Sequence, residues 1–222
     1  MRHASVTLVW MAADHDRDDV PSRIDLCDPA QAASWVIDAE TRRRWRPEVR
    51  RAIAELIRDA FVQPRILELG PGPGLLAETI LGTTPVASYT LLDVSAPMLA
   101  MARQRLGMRD DVRFVHGSFK QTGWPSLVDD GHGFDVVVAM QAVHEIRHKR
   151  HVPGLYREVL GVLQPGGRLV VLDHEPVDTG AFQTTLHSTR DEQQAAMTSA
   201  GFVAITTHVA HSNMYLMTAM RP

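Results

Sequence analysis

Short apolar runs and helical periodicities alternate along most of this chain. Ile66-Leu67-Glu68-Leu69 is a run that need not alternate, the pattern of a parallel strand covered on both faces. Tyr89–Asp93, Val112–His116, Phe134–Ala139 and Arg168–Asp173 read as further strands. Helical stretches separate them. One runs from about Gly74 to Leu81 and is closed by Gly82; another follows Ser95, a good N-cap, with Pro97 in its first turn. Met98, Leu99, Met101, Ala102 and Leu106 form the apolar side of that second helix. A third runs from about His148 to Leu163, with Val152, Leu155, Val159 and Val162 on one face. Residues 174–188 read as loop, and Asp191–Ala200 as a helix capped by Gly201. Phe202–Val209 and Asn213–Ala219 are strands joined by a short connection, hence antiparallel. Strand–helix repeats with right-handed crossovers give an α/β fold, a doubly wound sheet that ends in an antiparallel hairpin.

Ahead of the first strand the pattern is helical from Ala30 to Ala60. The basic run Arg42-Arg43-Arg44-Trp45-Arg46 divides it, and Pro47 opens the second half. There Val49, Ile53, Leu56 and Ile57 share a face, with Arg50, Arg51, Glu55 and Arg58 opposite. The arginine run is expected on a solvated face. Residues 1–28 are acidic and mixed, show no period, and read as a tail or an ordered cap. Three parts result: residues 1–28, a helical segment over 29–60, and an α/β domain over 61–222.

Composition removes several function classes. At 222 residues with 45% hydrophobic and 22% charged positions, the chain has enough apolar material for a full core. A net charge of −3 gives no electrostatic reason to bind nucleic acid or an anionic membrane. The single cysteine, Cys27, allows no internal disulfide and suits a reducing compartment. Ser5–Met11 is too short for a membrane span or a signal segment and runs into Asp14–Asp19. The expectation is a cytoplasmic protein.

In doubly wound sheets ligands bind beyond the carboxyl ends of the strands. That rule selects Gly70-Pro71-Gly72-Pro73-Gly74 after the first strand, Asp93 after the second, and His116–Phe119 after the third. It also selects Met140–His148 after the fourth and Asp173-His174-Glu175 after the fifth. The alternate glycines let the backbone turn sharply and let a ligand approach, and the following helix offers free N–H groups. Asp93 stands nineteen residues after Gly74, where a carboxylate takes both hydroxyls of a ribose. A nicotinamide cofactor is one candidate, although Leu75 departs from the third glycine of G-x-G-x-x-G.

Five blocks in order resemble the class I S-adenosylmethionine-dependent methyltransferases: Leu67–Gly74, Leu92–Leu99, Phe134–Val137, Val162–Leu169, and Gly201-Phe202 opening the terminal hairpin. The resemblance covers about Arg65 to the C-terminus. It implies a Rossmann-like, seven-stranded sheet in the order 3-2-1-4-5-7-6, with S-adenosyl-L-methionine as methyl donor. It further implies that Glu68, Gly70, Gly72 and Gly74 surround the methionine moiety. Asp93 and its neighbour Val94 would sit at the ribose beside Met98, Ser118 and Phe119 at the adenine edge, and Met140 and Gln141 on the path to the methyl group. Ser118 departs from an acid often found there.

Methyl transfer from a sulfonium needs a nucleophile held in line and, for an oxygen or nitrogen acceptor, a group to take its proton. His144 is the first candidate, with His148 and His174 behind it. His144-Glu145-x-x-His148 also spells the zinc-peptidase motif. Here it starts at a strand end, among Arg147, Lys149 and Arg150, so no metal is expected from it. The helices over 29–60 are placed to act as a lid. The acceptor is expected to be a small molecule, with no nucleic acid or membrane partner. The competing readings are a non-catalytic S-adenosylmethionine-binding domain and a nicotinamide-dependent oxidoreductase.

Overall fold

A computed structural model describes residues 19–177, 181–209 and 213–222. The Ser5–Met11 reading lies outside these described residues. Two helices, α1 (Pro29–Arg42) and α2 (Arg46–Arg58), come first. The α/β unit then runs β1 (Arg65–Leu69), α3 (Leu75–Thr83), β2 (Ser88–Asp93), α4 (Ala96–Leu106) and β3 (Val112–His116). It continues through α5 (Pro125–Val128), β4 (Phe134–Met140), α6 (Val152–Val162), β5 (Leu163–His174), α7 (Ala181–Leu186), α8 (Arg190–Ala200), β6 (Val203–Val209) and β7 (Met214–Met220). The seven strands stand in the order β3-β2-β1-β4-β5-β7-β6. β1 to β5 are parallel neighbours, with Leu67 beside Thr90 on one side and Val137 on the other. β7 pairs antiparallel with both β5 and β6. This is the doubly wound sheet with a terminal hairpin that the alternating pattern predicts.

Strand alternation divides the core into two layers. Leu67, Leu69, Val137, Ala139 and Val171 face one layer, closed by Leu155 and Val159 of α6 and Met197 of α8. Ile66, Leu91, Val136 and Val138 face the other, closed by Ile53 and Ile57 of α2, Leu76 and Ile80 of α3, and Leu99 of α4. α2 is therefore part of the core, not an appendage. The caps of α4 and α8 are local: Ser95 Oγ accepts from Met98 N, Thr189 and Glu192 form a reciprocal capping box, and Gly201 ends α8 at φ +105°.

Five local expectations are corrected. The helix read from His148 begins at Val152, because Arg147 takes a left-handed turn at φ +68° and two short 3-10 turns (Val143–Ile146, Lys149–His151) precede it. The first crossover helix passes Gly82 and ends at Thr83. The span 174–188 contains the short α7, and β5 starts at Leu163 because its first residue pairs with Phe134 across a bulge. Arg46 is not solvated: it is 8% exposed, and Arg50 on the same helix is 7% exposed.

Candidate active site

The carboxyl ends of β1 to β5 open onto one cavity of about 420 Å³. Twelve of the fourteen residues singled out above line it: Glu68, Gly70, Gly72, Asp93, Val94, Met98, Ser118, Phe119, Met140, Gln141, His144 and His174. Gly74 does not; it caps α3 at φ +79°, and a Cβ there would stand 3.0 Å from the Cβ of Ala102, so its freedom serves helix packing. His148 does not either. Its ring accepts from Arg150 N and lies edge-on to His151, outside the cavity lining. The two histidines of the zinc-peptidase pattern share no helix, since Arg147 breaks the turn between them.

At the glycine end, Asp93 is 8% exposed and anchored by backbone: Oδ1 accepts from Ser95 N at 2.8 Å and Oδ2 from Gly72 N at 3.1 Å. Each oxygen keeps a lone pair for a second donor. Burial pushes its carboxyl above the usual range, against those two backbone bonds. Gly70 is needed for close approach, because a Cβ there would meet the Cβ of Ala142 at 2.7 Å. At Gly72 nothing among the described residues stands within 4 Å of a Cβ, so the cavity reaches the backbone. Glu68 is 2% exposed and accepts from the Tyr89 hydroxyl at 2.8 Å. Burial raises it to about 8, opposed by the Tyr89 bond and reinforced by Asp93. Two acids facing one cavity call for a cation and for hydroxyl donors. S-adenosylmethionine supplies both, in its sulfonium, its α-ammonium and its ribose, so the residues present fit it.

At the other end stand three imidazoles. The centroids of His144, His174 and His187 lie 5.1, 5.4 and 5.6 Å apart, a near-regular triangle. Asp173, 1% exposed, sits against it. Its Oδ1 is 2.6 Å from His144 Nδ1 and accepts from His174 N at 2.8 Å, while Oδ2 accepts from His144 N at 3.0 Å. His144 Nε2 faces Glu145 at 3.3 Å. Burial alone would lower His144, but Asp173 and Glu145 outweigh it and hold the ring at about 10. In this state His144 is a donor at both nitrogens, not a free base. His174 is pushed down to about 4 by burial, against the pull of Asp173. Its Nε2 is 2.7 Å from Gln141 Nε2. The carbonyl oxygen of that amide takes Arg46 Nε at 2.8 Å and a second guanidinium nitrogen at 2.6 Å, so the amide nitrogen donates and His174 Nε2 accepts. His187, also pushed down to about 4 by burial, leaves Nδ1 without a hydrogen-bond partner among the described residues.

Several lining residues escaped the sequence reading. Arg46 belonged to a run read as solvated, yet burial pulls it down to about 10 while Glu40 and Gln141 satisfy its guanidinium. Arg43 also lines the cavity; Trp35, a tryptophan that could cover a pocket, lines it too, with the Arg46 guanidinium 5.4 Å from its ring centroid. The span 22–27 runs along the cavity: Val20 N and O both bond Arg147, and Ser95 Oγ donates to Leu26 O. Arg23 and Phe182, like His187, line a second hollow that opens beside the histidines. Nothing periodic marks His187; it lies in a span read as loop.

Strand order, glycine turn and anchored acid together define the class I S-adenosylmethionine-dependent methyltransferase architecture. Residues 66–167 match a family described as a methyltransferase domain. It is 36% identical over 140 residues to a demethylmenaquinone methyltransferase of Thermus thermophilus, covering 63% of this chain and 58% of that one. It is 34% identical over 115 residues to a ubiquinone/menaquinone biosynthesis C-methyltransferase of Ectopseudomonas mendocina, covering 49% and 41%. The matched stretch thus spans about half the length of these curated relatives. Among solved structures, the N-methyltransferase NodS of Bradyrhizobium japonicum with S-adenosyl-L-homocysteine superposes with a TM-score of 0.65 at 16% identity, covering 79% of this chain and 87% of that one; it shares the fold. Among the described residues no helix is long and apolar enough to cross a membrane.

Proposed function

We propose that this chain moves a methyl group from S-adenosylmethionine to a small, oxygen-bearing acceptor that enters at the histidine end of the cavity. The observation that carries the reading is continuity: one cavity joins the cation-favouring acids Glu68 and Asp93 to the polar cluster of His144, Gln141 and His174. The bound cofactor supplies an electrophilic methyl on sulfur. The chain supplies position. Asp93 takes the ribose hydroxyls and Glu68 faces the cationic half. His144, fixed through Nδ1 by Asp173, presents Nε2 to the acceptor oxygen, which displaces the exposed Glu145 carboxylate. Gln141, gripped by Arg46, holds His174 as the second wall. The segment 22–27 with α1 and α2 acts as the lid, since Trp35, Arg43 and Arg46 all line the cavity. The neutral-to-acidic surface speaks against a nucleic-acid acceptor.

Calorimetry with S-adenosylmethionine and S-adenosylhomocysteine tests the cofactor half. Replacing Asp93 with Ala removes a charged acceptor worth about 2–3 kcal/mol, a loss of roughly 30- to 150-fold in affinity. Unchanged affinity would overturn the ribose assignment. Release of S-adenosylhomocysteine on a panel of phenols, quinols and keto acids tests the acceptor half. His144→Ala is expected to keep cofactor affinity and lose turnover.

A further inference from the structure

Within the histidine triangle, His144, Asp173 and His187 each offer a ligand atom, and these atoms all lie within 4.8 Å of one another. A four-coordinate ion with bonds of about 2.0–2.2 Å holds its ligand atoms roughly 3.4 Å apart. The set is therefore one small side-chain adjustment from closing on an ion. We propose that His144, Asp173 and His187 form a 2-histidine-1-carboxylate site for a divalent first-row transition ion, at the acceptor end of the cavity.

Four observations point there. His187 is 8% exposed and its Nδ1 has no hydrogen-bond partner, a buried donor or acceptor with nothing to meet among the described residues. Asp173 is held for coordination from behind: backbone N–H groups of His144 and His174 fix its two oxygens at 3.0 and 2.8 Å. Outer contacts of that kind orient carboxylate ligands in metal sites. The elements are rigid where it counts, since Asp173 is the last but one residue of β5 and His144 sits in the 3-10 turn after β4. Finally, Gln141 occupies His174 Nε2, which leaves three protein ligands and an open position. His144 lines both the cofactor cavity and the hollow that His187 lines, so the open position faces where an acceptor would stand. Imidazole and carboxylate ligands of this number suit zinc, iron or cobalt over calcium or magnesium. On binding, the His144 Nδ1 proton leaves to solvent, and its hydrogen bond to Asp173 is replaced by one metal bond from Nδ1 and one from the carboxylate. An acceptor hydroxyl, enol or carboxylate in the fourth position would then be fixed beside the methyl donor. The proposal goes beyond the methyl-transfer reading, which needs no ion.

The test uses the untagged full-length chain, stripped with chelator and titrated with Co²⁺, whose visible bands report coordination, with Zn²⁺ in competition. One equivalent is expected to bind in the micromolar range or tighter. His187→Ala should weaken binding roughly tenfold or more, and so should Asp173→Asn. His151→Ala, in the neighbouring His148–His151 pair, should not change it. Asp173 is buried and its variant can misfold; His187→Ala lies at the edge of the hollow, and its S-adenosylhomocysteine affinity checks that the cofactor cavity is intact. Absence of a stoichiometric site in the parent chain, or affinity unmoved by His187→Ala, would overturn the proposal. Cofactor binding is read separately, so failure here leaves the methyltransferase reading standing.

Discussion

Glu68 should make this fold lose stability as pH rises, and replacing it with Gln should remove that loss. The carboxyl lies on the same sheet face as Ile66, takes the Tyr89 hydroxyl, and is 2% exposed. Burial raises it from 4.5 to about 8, with the Tyr89 bond opposing and Asp93 adding. A raised acid stabilises the fold fully below its unfolded value. That contribution is lost as pH climbs through the folded value. With 4.5 unfolded and about 8 folded, the loss between pH 6 and pH 9 comes to about 3 kcal/mol at roughly 1.4 kcal/mol per pH unit. For a chain of this size that is a fall of about 6–12 °C in Tm. Glu68→Gln keeps an acceptor for the Tyr89 hydroxyl and carries no charge, so its Tm should stay level over the same interval once other groups are subtracted. Melting parent and variant side by side at pH 6, 7, 8 and 9 isolates the effect. Parallel curves would refute the burial argument. A linked observation follows from the cavity: a cation beside Glu68 favours its ionised form, so S-adenosylmethionine binding near pH 7 should release up to about one proton. Calorimetry in buffers of different ionisation enthalpy reads that release, and its absence would mean that Glu68 does not face the positive end of the cofactor.

Two further outcomes probe the walls of the cavity. Gly70→Ala combines a φ of +65° with a Cβ contact of 2.7 Å to Ala142, so it should cost about 2 kcal/mol or more in denaturant unfolding; adding Ala142→Gly should recover part of the loss, and no recovery would locate the cost elsewhere. Cys27 lines the cavity with its sulfur 3.7 Å from Val94 O, so S-adenosylhomocysteine should slow its alkylation by iodoacetamide, and equal rates with and without ligand would show that residues 22–27 do not border the cofactor.

The sheet was legible because its evidence is local and repeated. Five apolar runs, each followed by a turn or a helix signal, leave few topologies once crossovers are right-handed. The short link before Asn213 then makes the last pair antiparallel, as β6 and β7 are. The glycine end of the cavity was legible for a related reason. Its residues sit directly after strands, where backbone geometry alone brings them together, and Asp93 is held by the N–H groups of Gly72 and Ser95. The errors came where tertiary contacts override local pattern. His148 to His151 looked helical because Val152, Leu155 and Val159 behind them are periodic, yet Arg147 turns left-handed and its guanidinium is drawn to Val20 and Pro21. Arg46 looked solvated because it stands in a basic run, and burial became possible only because Glu40 and Gln141 reach it from other elements.

The acceptor end shows why a site can be half visible. His144 follows β4, and Asp173 and His174 close β5, so strand-end logic finds them without any contact being known. His187 follows α7, a six-residue helix inside a span with no strand signal, and it reaches the same triangle only through the fold. Reading the octapeptide His144–His151 as a linear unit paired His144 with His148, four residues away. The structure pairs it with Asp173, twenty-nine residues on, and His187, forty-three on. A linear motif requires one continuous helix to bring its members together. Here the chain breaks at Arg147, and the cluster is built instead from residues that only the sheet and the α7 segment bring together. Removing His187 should therefore alter the acceptor end without disturbing Asp93, whereas removing His148 should alter neither.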